Sequence, residues 1–568
     1  MKNHSFCVPV LAFCTLALRL PAQVNIKEND SSVILQNGFA SFSFDKQSAD
    51  LKTIAYRQYD NVLGAKGSAY LSGPDFGMRP STFTVTTSSR DMIDISFLHK
   101  DKNHFEYDLH YVVRSGVKGI YVYLIEKHSA NSTGIYGQTR WGLRADPALF
   151  DNQLVRDSIQ GPMYAMDSLE VGSKIQDWTY RMHNGIIYTK YDYADYIDGR
   201  YVHGMYGRES HLGLFVIQAS HEYLNGGPTK QYMTTHSSPY LICMFNCSHF
   251  LANNRVADDT VTGNWEKLNG PFLLYLNHEK DAAASWQDAK READAQKASW
   301  PFAWLQQKAY PRQRSILNIT AKDEKDKHLP DITFVLADSA HDWQAQSLGY
   351  IFSGHTNPQG QLSLPDIRPG RYTLYGFGGD RIQQFRKDGI VISPDGKDQT
   401  LSAILPDESS RTIWEIGVAD RFTKGFHYST HPRAYGLFDS VPAQLDYTIG
   451  KNQTSDWYYA QTREGVWNIH FGRPSQTTDS LVLYIALAGA AKNPHAAITL
   501  NGHKIGELKN LGNDASVYRS AILGGYYRLY AIPFSSSLLT DDNTFGIDLL
   551  KCPNGGGLMY DAIRLASK

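Results

Sequence analysis

YVVRSGVKGIYVYLIEK, Tyr111 to Lys127, decides the fold class of this 568-residue chain. Ser115-Gly116 stands between two runs of Val, Ile, Leu and Tyr, residues that suit a pleated surface and lose rotamer freedom in a helix. That spacing predicts two strands around a tight turn. The pattern extends outward on both sides. From Val24 to about Pro271, short apolar runs alternate with Gly, Asn, Asp and Ser, as in HLGLFVIQAS (His211 to Ser220) and SPYLICMFNCSHF (Ser238 to Phe250). Roughly 250 residues of strands with no clear helix between them predict a large antiparallel β-sandwich.

The first helical pattern is EKDAAASWQDAKREADAQKASW, Glu279 to Trp300, rich in alanine and charged residues. Pro301 and Pro311 then punctuate the chain and mark a boundary. NPQGQLSLPDIRPGRYTLYGF, Asn357 to Phe377, runs turn, strand, Pro369-Gly370 turn, strand, which places a second and smaller β unit there. The polar LPDESSRT, Leu405 to Thr412, reads as a linker. IWEIGVADR (Ile413 to Arg421) opens a third β unit that closes on GGGLMYDAIRL (Gly555 to Leu565). Its aromatic strands DWYYAQ and VWNIHF fit a jelly roll. The expected division is 24–305, 312–405 and 411–568, in keeping with the three or four domains that the length suggests.

The first residues, MKNHSFCVPVLAFCTLALRLPAQ, read as a secretory signal over 1–22. Lys2 is its basic start, Phe6 to Leu18 its apolar run, and Leu20-Pro21-Ala22 its small-residue cleavage site. A secreted or periplasmic protein is expected, and no later segment has the ~20 apolar residues of a membrane helix. Of five cysteines, Cys7 and Cys14 leave with the signal. Cys243 and Cys247 in one strand would lie ~13 Å apart, too far to bridge. A formal net charge of -1 argues against a nucleic-acid partner. The 35 tyrosines, 25 phenylalanines and 10 tryptophans suit β-rich domains with aromatic grooves.

GIIYTKYDYADYIDGRYVHGMYG, Gly185 to Gly207, is too tyrosine-rich and too poor in aliphatic residues for the edge of an ordinary core. In an extended segment Ile186, Tyr188, Lys190 and Asp192 share one face, and Ile187, Thr189, Tyr191 and Tyr193 the other. A lysine so placed is most often a solvated face residue. Tyrosines on both sides suggest instead a wet, half-buried wall, where partial desolvation lowers a lysine pKa toward that of a base. His203 and His249 titrate near neutrality, with a structural role as the default for each. Asp192, Asp195 and Asp198 could form the carboxylate pair of a glycoside hydrolase, or hold a structural calcium, although a solvated loop explains them as well. There is no GxSxG elbow, P-loop, HExxH or dinucleotide fingerprint.

Several blocks resemble the rhamnogalacturonan lyases of polysaccharide lyase family 4. In order they are TKYDYAD, VHGMYG, EYLNGGPTKQY, MFNCSH, NGPFLLYLN, LPDIRPGRYTLYGF, IWEIGVADR, AYGLFDS, YTIGKNQTSDWYYAQ and MYDAIRL. The resemblance implies a catalytic β-sandwich, a fibronectin-III-like β-sandwich and a carbohydrate-binding-like jelly roll. It implies cleavage of the rhamnose–galacturonic acid bond of rhamnogalacturonan I by β-elimination, by a monomer that requires no cofactor. It places the catalytic lysine at Lys190, as base, and the catalytic histidine at His249, as acid, with the reversed roles left open. Arg140 is the matching substrate-binding arginine, with Arg144 as the alternative register; Tyr191, Tyr193 and His203 join it as substrate-binding candidates. Fungal members carry tyrosines shortly before the histidine, where this chain has Ile242 and Met244. The competing classes are a glycoside hydrolase on the same polymer and a non-catalytic glycan-binding protein.

Overall fold

The computed structural model describes residues 23–567 apart from 74–76, 200, 248, 251–258, 339–341, 409 and 476–477. The expected signal segment, 1–22, therefore lies outside the described residues.

Two large antiparallel sheets, with three small ones beside them, form the first domain. One has eight strands and carries Ser68–Ser72, Thr139–Arg144 and Tyr240–Asn246 side by side toward one edge. The other has nine, with Val202–Tyr206, Leu212–Gln218, Trp265–His278, Gly119–His128 and Phe105–Arg114 consecutive. Tyr111–Lys127 spans the turn that joins Phe105–Arg114 to Gly119–His128, with Tyr111 opposite Val122.

Burial explains why the two sheets read so differently in sequence. Ala40–Asp45, in the eight-stranded sheet, alternates buried and half-buried residues, as a strand with one wet face should. Gly119–His128 is buried at nine of ten positions. Its inner face packs Val122 and Leu124 against Phe42, Phe44 and Trp141 of the other sheet. Its outer face packs Tyr121 and Tyr123 in a second cluster with Trp286, Ala289 and Phe302. The covering helix is Ala282–Ala298, capped where Asp281 Oδ1 accepts from the backbone N of Ala284 at 2.7 Å, a contact worth ~1 kcal/mol.

The second domain is a small sandwich of a three-stranded and a four-stranded sheet around Leu317, Phe334, Leu336 and Leu374. The third packs two five-stranded sheets around Trp414, Trp457, Trp467, Phe545 and Tyr560. The tryptophans of DWYYAQ and VWNIHF are thus fully buried core.

Specific ties lock the domains together. Glu222 of the first domain is fully buried between Arg314 and Arg368, with Arg368 Nη1 donating to Oε1 at 2.9 Å. Removing one partner from such a buried cluster costs about 3–5 kcal/mol. Arg421 of the third domain packs on Trp343, Phe377 and Tyr527, 4.2–5.1 Å from their ring centres. From the third domain, Arg433 donates to Gln231 Oε1 and Arg519 to the backbone oxygen of His249.

Candidate active site

The chain around Lys190 is not extended through the tyrosine stretch. Strand Ile187–Thr189 pairs with Thr179–Arg181 and then stops. Thr189 Oγ1 accepts from the backbone N of Tyr191 at 3.4 Å and turns the chain into one 3-10 turn, Lys190–Tyr193. Successive residues of such a turn point ~120° apart rather than to alternate sides. This corrects the shared face expected for Lys190 and Asp192. The Lys190 backbone N also donates to Trp178 O at 3.0 Å, which brings the Asp177-Trp178 turn against it.

Lys190 is therefore buried rather than solvated, 4% exposed, with Nζ 2.8 Å from Asp177 Oδ2. Nζ sits 5.2 Å from the centre of the Tyr191 ring, and Tyr191 donates its hydroxyl to the same Asp177 oxygen at 3.2 Å. Tyr191 has no exposed surface, so here it positions the ion pair. Tyr188, also buried, accepts at its hydroxyl from the backbone N of Ser237 at 2.6 Å, fixing the loop that carries His236.

His249 comes from beyond strand Tyr240–Asn246, held in the left-handed region at φ 71°. Arg519, on a short turn of the third domain, grips its carbonyl oxygen and lies 4.9 Å from the centre of the Tyr191 ring. The His249 ring is buried, and its Nδ1 has no hydrogen-bond partner among the described residues. Arg140 arrives from the neighbouring strand, with Nε donating to Ser72 Oγ at 3.2 Å. Beside it Tyr240 and Tyr70 share a hydroxyl–hydroxyl hydrogen bond of 2.8 Å. Gly142 makes that possible, since a Cβ there would stand 2.1 Å from the Tyr240 hydroxyl oxygen. Ile242 and Met244 are buried core, so hydroxyls reach this pocket from Tyr240 and Tyr70 instead.

Burial and cations together set the protonation states. Burial lowers the Lys190 pKa from the ordinary amine value; Asp177 opposes that, and Arg519 and Arg140 add to it. Burial would raise Asp177, but Lys190, Tyr191 and Arg519 more than reverse it, so its carboxyl titrates below the usual range. Burial, then the fields of Lys190, Arg519 and Arg140, hold His249 well below the ordinary imidazole value. His236, stacked between Trp178 and Tyr240 at 4.2 and 4.5 Å, is held low by burial and then by Lys190. The pocket thus gathers two neutral imidazoles, an amine and two guanidiniums, faced by the Asp177 carboxylate. Such a pocket attracts an anion.

Of the expected site residues, the structure brings Lys190, His249 and Arg140 together, with Tyr191 beneath them. His203 is elsewhere: it is buried between the sheets, with Nε2 on the Ile242 carbonyl at 2.7 Å. Arg144 lies over the Tyr240 ring at 5.1 Å. Tyr193 lines a separate cleft with Asp192, Asp195 and Asp198. Asp195 is paired to Arg156 at 2.6 Å and Asp198 to His355 at 3.6 Å, so neither stands ready as half of a hydrolytic pair. Among the described residues no three His, Cys, Asp or Glu side chains converge as metal ligands would. Sequence reasoning missed Asp177, His236 and Arg519. Arg519 lies 270 positions from His249, and no local pattern marks it.

Comparison with known proteins adds an independent line. Residues 412–565 match the model of polysaccharide lyase family 4, domain III, and residues 327–401 that of domain II. The chain is 32% identical over 510 residues to a rhamnogalacturonate lyase of Dickeya dadantii, covering 87% of this chain and 84% of that one. It is 20% identical to rhamnogalacturonate lyase B of Emericella nidulans, covering 76% and 73%.

Proposed function

The chain belongs to polysaccharide lyase family 4, and we propose that the Lys190 pocket is where it cleaves rhamnogalacturonan by β-elimination. The observation that carries this reading is the convergence of Lys190, His249, Arg140 and Arg519 on one buried pocket. β-Elimination removes the C5 proton of a galacturonate residue, next to its carboxylate. The C4 oxygen leaves with its rhamnosyl group, and an unsaturated uronate end remains. Charge grows on the carboxylate as the C5–H bond breaks, so fixed cations favour the transition state over the ground state. Arg140 and Arg519 suit that role, because a guanidinium grips a carboxylate through paired hydrogen bonds.

The scheme needs one proton shared between Lys190 and His249. Two arrangements carry it: ammonium with neutral imidazole, or neutral amine with imidazolium. The Asp177 contact favours the proton on Lys190, and the cationic field favours a neutral His249. That supports His249 as the group that takes the C5 proton and Lys190 as the acid that delivers one to the leaving oxygen. The burial that lowers Lys190 supports the opposite assignment, the one implied by the family resemblance. Solvent deuterium separates them. A variant that keeps the base exchanges the C5 proton of bound substrate, and one that lacks it does not. Exchange in Lys190→Ala and none in His249→Ala is expected; the reverse pattern overturns the assignment.

The function itself is tested by incubating the protein with rhamnogalacturonan I. Growth of ultraviolet absorbance from the new uronate double bond is expected, whereas release of sugar without it indicates hydrolysis. Since arginine and lysine supply the positive charge, activity is expected to survive a chelator. Loss restored by calcium would overturn the metal-free scheme. Secretion through residues 1–22 belongs to the same proposal; among the described residues no helix is long and apolar enough to cross a membrane.

A further inference from the structure

Behind the Lys190–Tyr193 turn, the three domains enclose a cleft of about 810 Å3, within the ~300–1,000 Å3 of small-ligand sites. The first domain supplies Tyr193, Tyr196 and Ser158; the second His355; the third Phe422 and Thr430. We propose that this cleft is a second saccharide site, distinct from the eliminating pocket, and that it takes uncharged sugar residues.

Charge compensation is the first argument. Much of the charge on the cleft wall is closed locally: Arg156 pairs with Asp195 at 2.6 Å and Lys424 with Asp420 at 2.8 Å, while His355 lies 3.6 Å from Asp198. The clustered cations that mark the Lys190 pocket have one counterpart here, the Arg433 guanidinium, with the Asp192 carboxyl beside it, so the wall carries little net field for an anion. Aromatic surface is the second argument. Tyr196 and Phe422 meet edge to face at 5.7 Å, and Tyr193 adds another ring to the wall. A rigid aromatic body with a polar rim gives contact area to the C–H face of a sugar at low entropic cost.

Unused hydrogen-bonding capacity is the third. Arg433 donates to Gln231, yet its Nη1 has no partner among the described residues; Asp192 Oδ1 has none among them either, and both residues line the cleft. Burial, only partly opposed by Ser520 and Arg433, lifts the Asp192 carboxyl to about 7. Unsatisfied buried polar atoms cost about 1–3 kcal/mol each. A turn of either side chain about its last torsion would present one donor group and one carboxyl to the cleft. Vicinal hydroxyls of a neutral sugar, each both donor and acceptor, satisfy both.

The test uses the full chain and three probes, L-rhamnose, D-galactose and D-galacturonate, followed by saturation-transfer NMR. Rhamnose or galactose is expected to receive saturation from the wild-type protein. That transfer should fall at least fivefold in Thr430→Trp and in Ser158→Trp, which block the cleft from different domains at exposed positions. It should persist in Lys190→Ala. Thermal melting of each variant shows that the fold is kept. The proposal is overturned if neither neutral sugar binds, if binding survives both tryptophan variants, or if D-galacturonate competes equally for the cleft. Sugar binding without lyase activity in the wild type would sink the catalytic reading and leave this one standing.

Discussion

Two arginines of the third domain reach into the first on opposite sides of one 3-10 turn, and they meet different electrostatic surroundings. Arg519 joins Lys190 and Arg140 around two neutral imidazoles, with Asp177 as the carboxylate opposite. Arg433 enters a wall where salt bridges close the neighbouring charges in pairs. Net local field, more than the number of charged residues, separates an anion pocket from a neutral cleft. Both regions depend on the third domain, so the jelly roll helps to build the working surface of the sandwich.

The largest way to break this contrast is Lys190→Ala. A group that moves a proton in the transition state is worth about 10²–10⁴-fold, and a loss of that size in kcat is expected, read from ultraviolet product. Near wild-type turnover would remove Lys190 from the chemistry. Next comes the pair of arginines. Arg519→Gln is expected to lower kcat/KM by about 10²-fold, in line with other fixed donors to a developing anion. Arg433→Gln should change it less than about threefold on a short uronate substrate, as expected of a residue outside the charge-stabilising set. Equal losses would show that the two sides of the turn form one site.

How much of this could be read from sequence differs sharply between fold and site. The paired strands around Ser115-Gly116, the covering helix and the three β units were legible, because period and turn residues act locally. Helix ends shifted inward to Ala282–Ala298, where Asp281 caps the first turn. The reading of Tyr188 to Asp192 as one strand failed for a local reason: Thr189 caps a turn that alternation does not reveal. Lys190 and His249 were nominated by residue type and surroundings, but their pairing came only through resemblance to a family. Asp177, His236 and Arg519 were not, since each matters through a partner distant in sequence or through burial.

A smaller effect sharpens the role of Asp177. Its carboxylate holds the Lys190 pKa up against burial and the two arginines. Asp177→Asn should therefore move the alkaline limb of the kcat/KM profile to lower pH. The acidic limb, set by protonation of His249 below the ordinary imidazole value, should move far less. If both limbs stayed in place, the ion pair would have no part in setting the working protonation state.

The smallest expected effect belongs to the neutral cleft. The Asp192 carboxyl titrates at about 7 in the folded protein against 3.8 for the unperturbed group. Between those values the folded state holds a proton that the unfolded state has released, so stability falls as pH rises from about 4 to 7 and then levels. Asp192→Asn cannot ionise and should remove that part of the slope. The variant should thus melt higher than wild type at pH 8 and no higher at pH 4, read from the melting midpoints at the two pH values. An unchanged difference between the two pH values would show that Asp192 already finds a partner for its charge, and the contrast between the two sides of the turn would lose one of its supports.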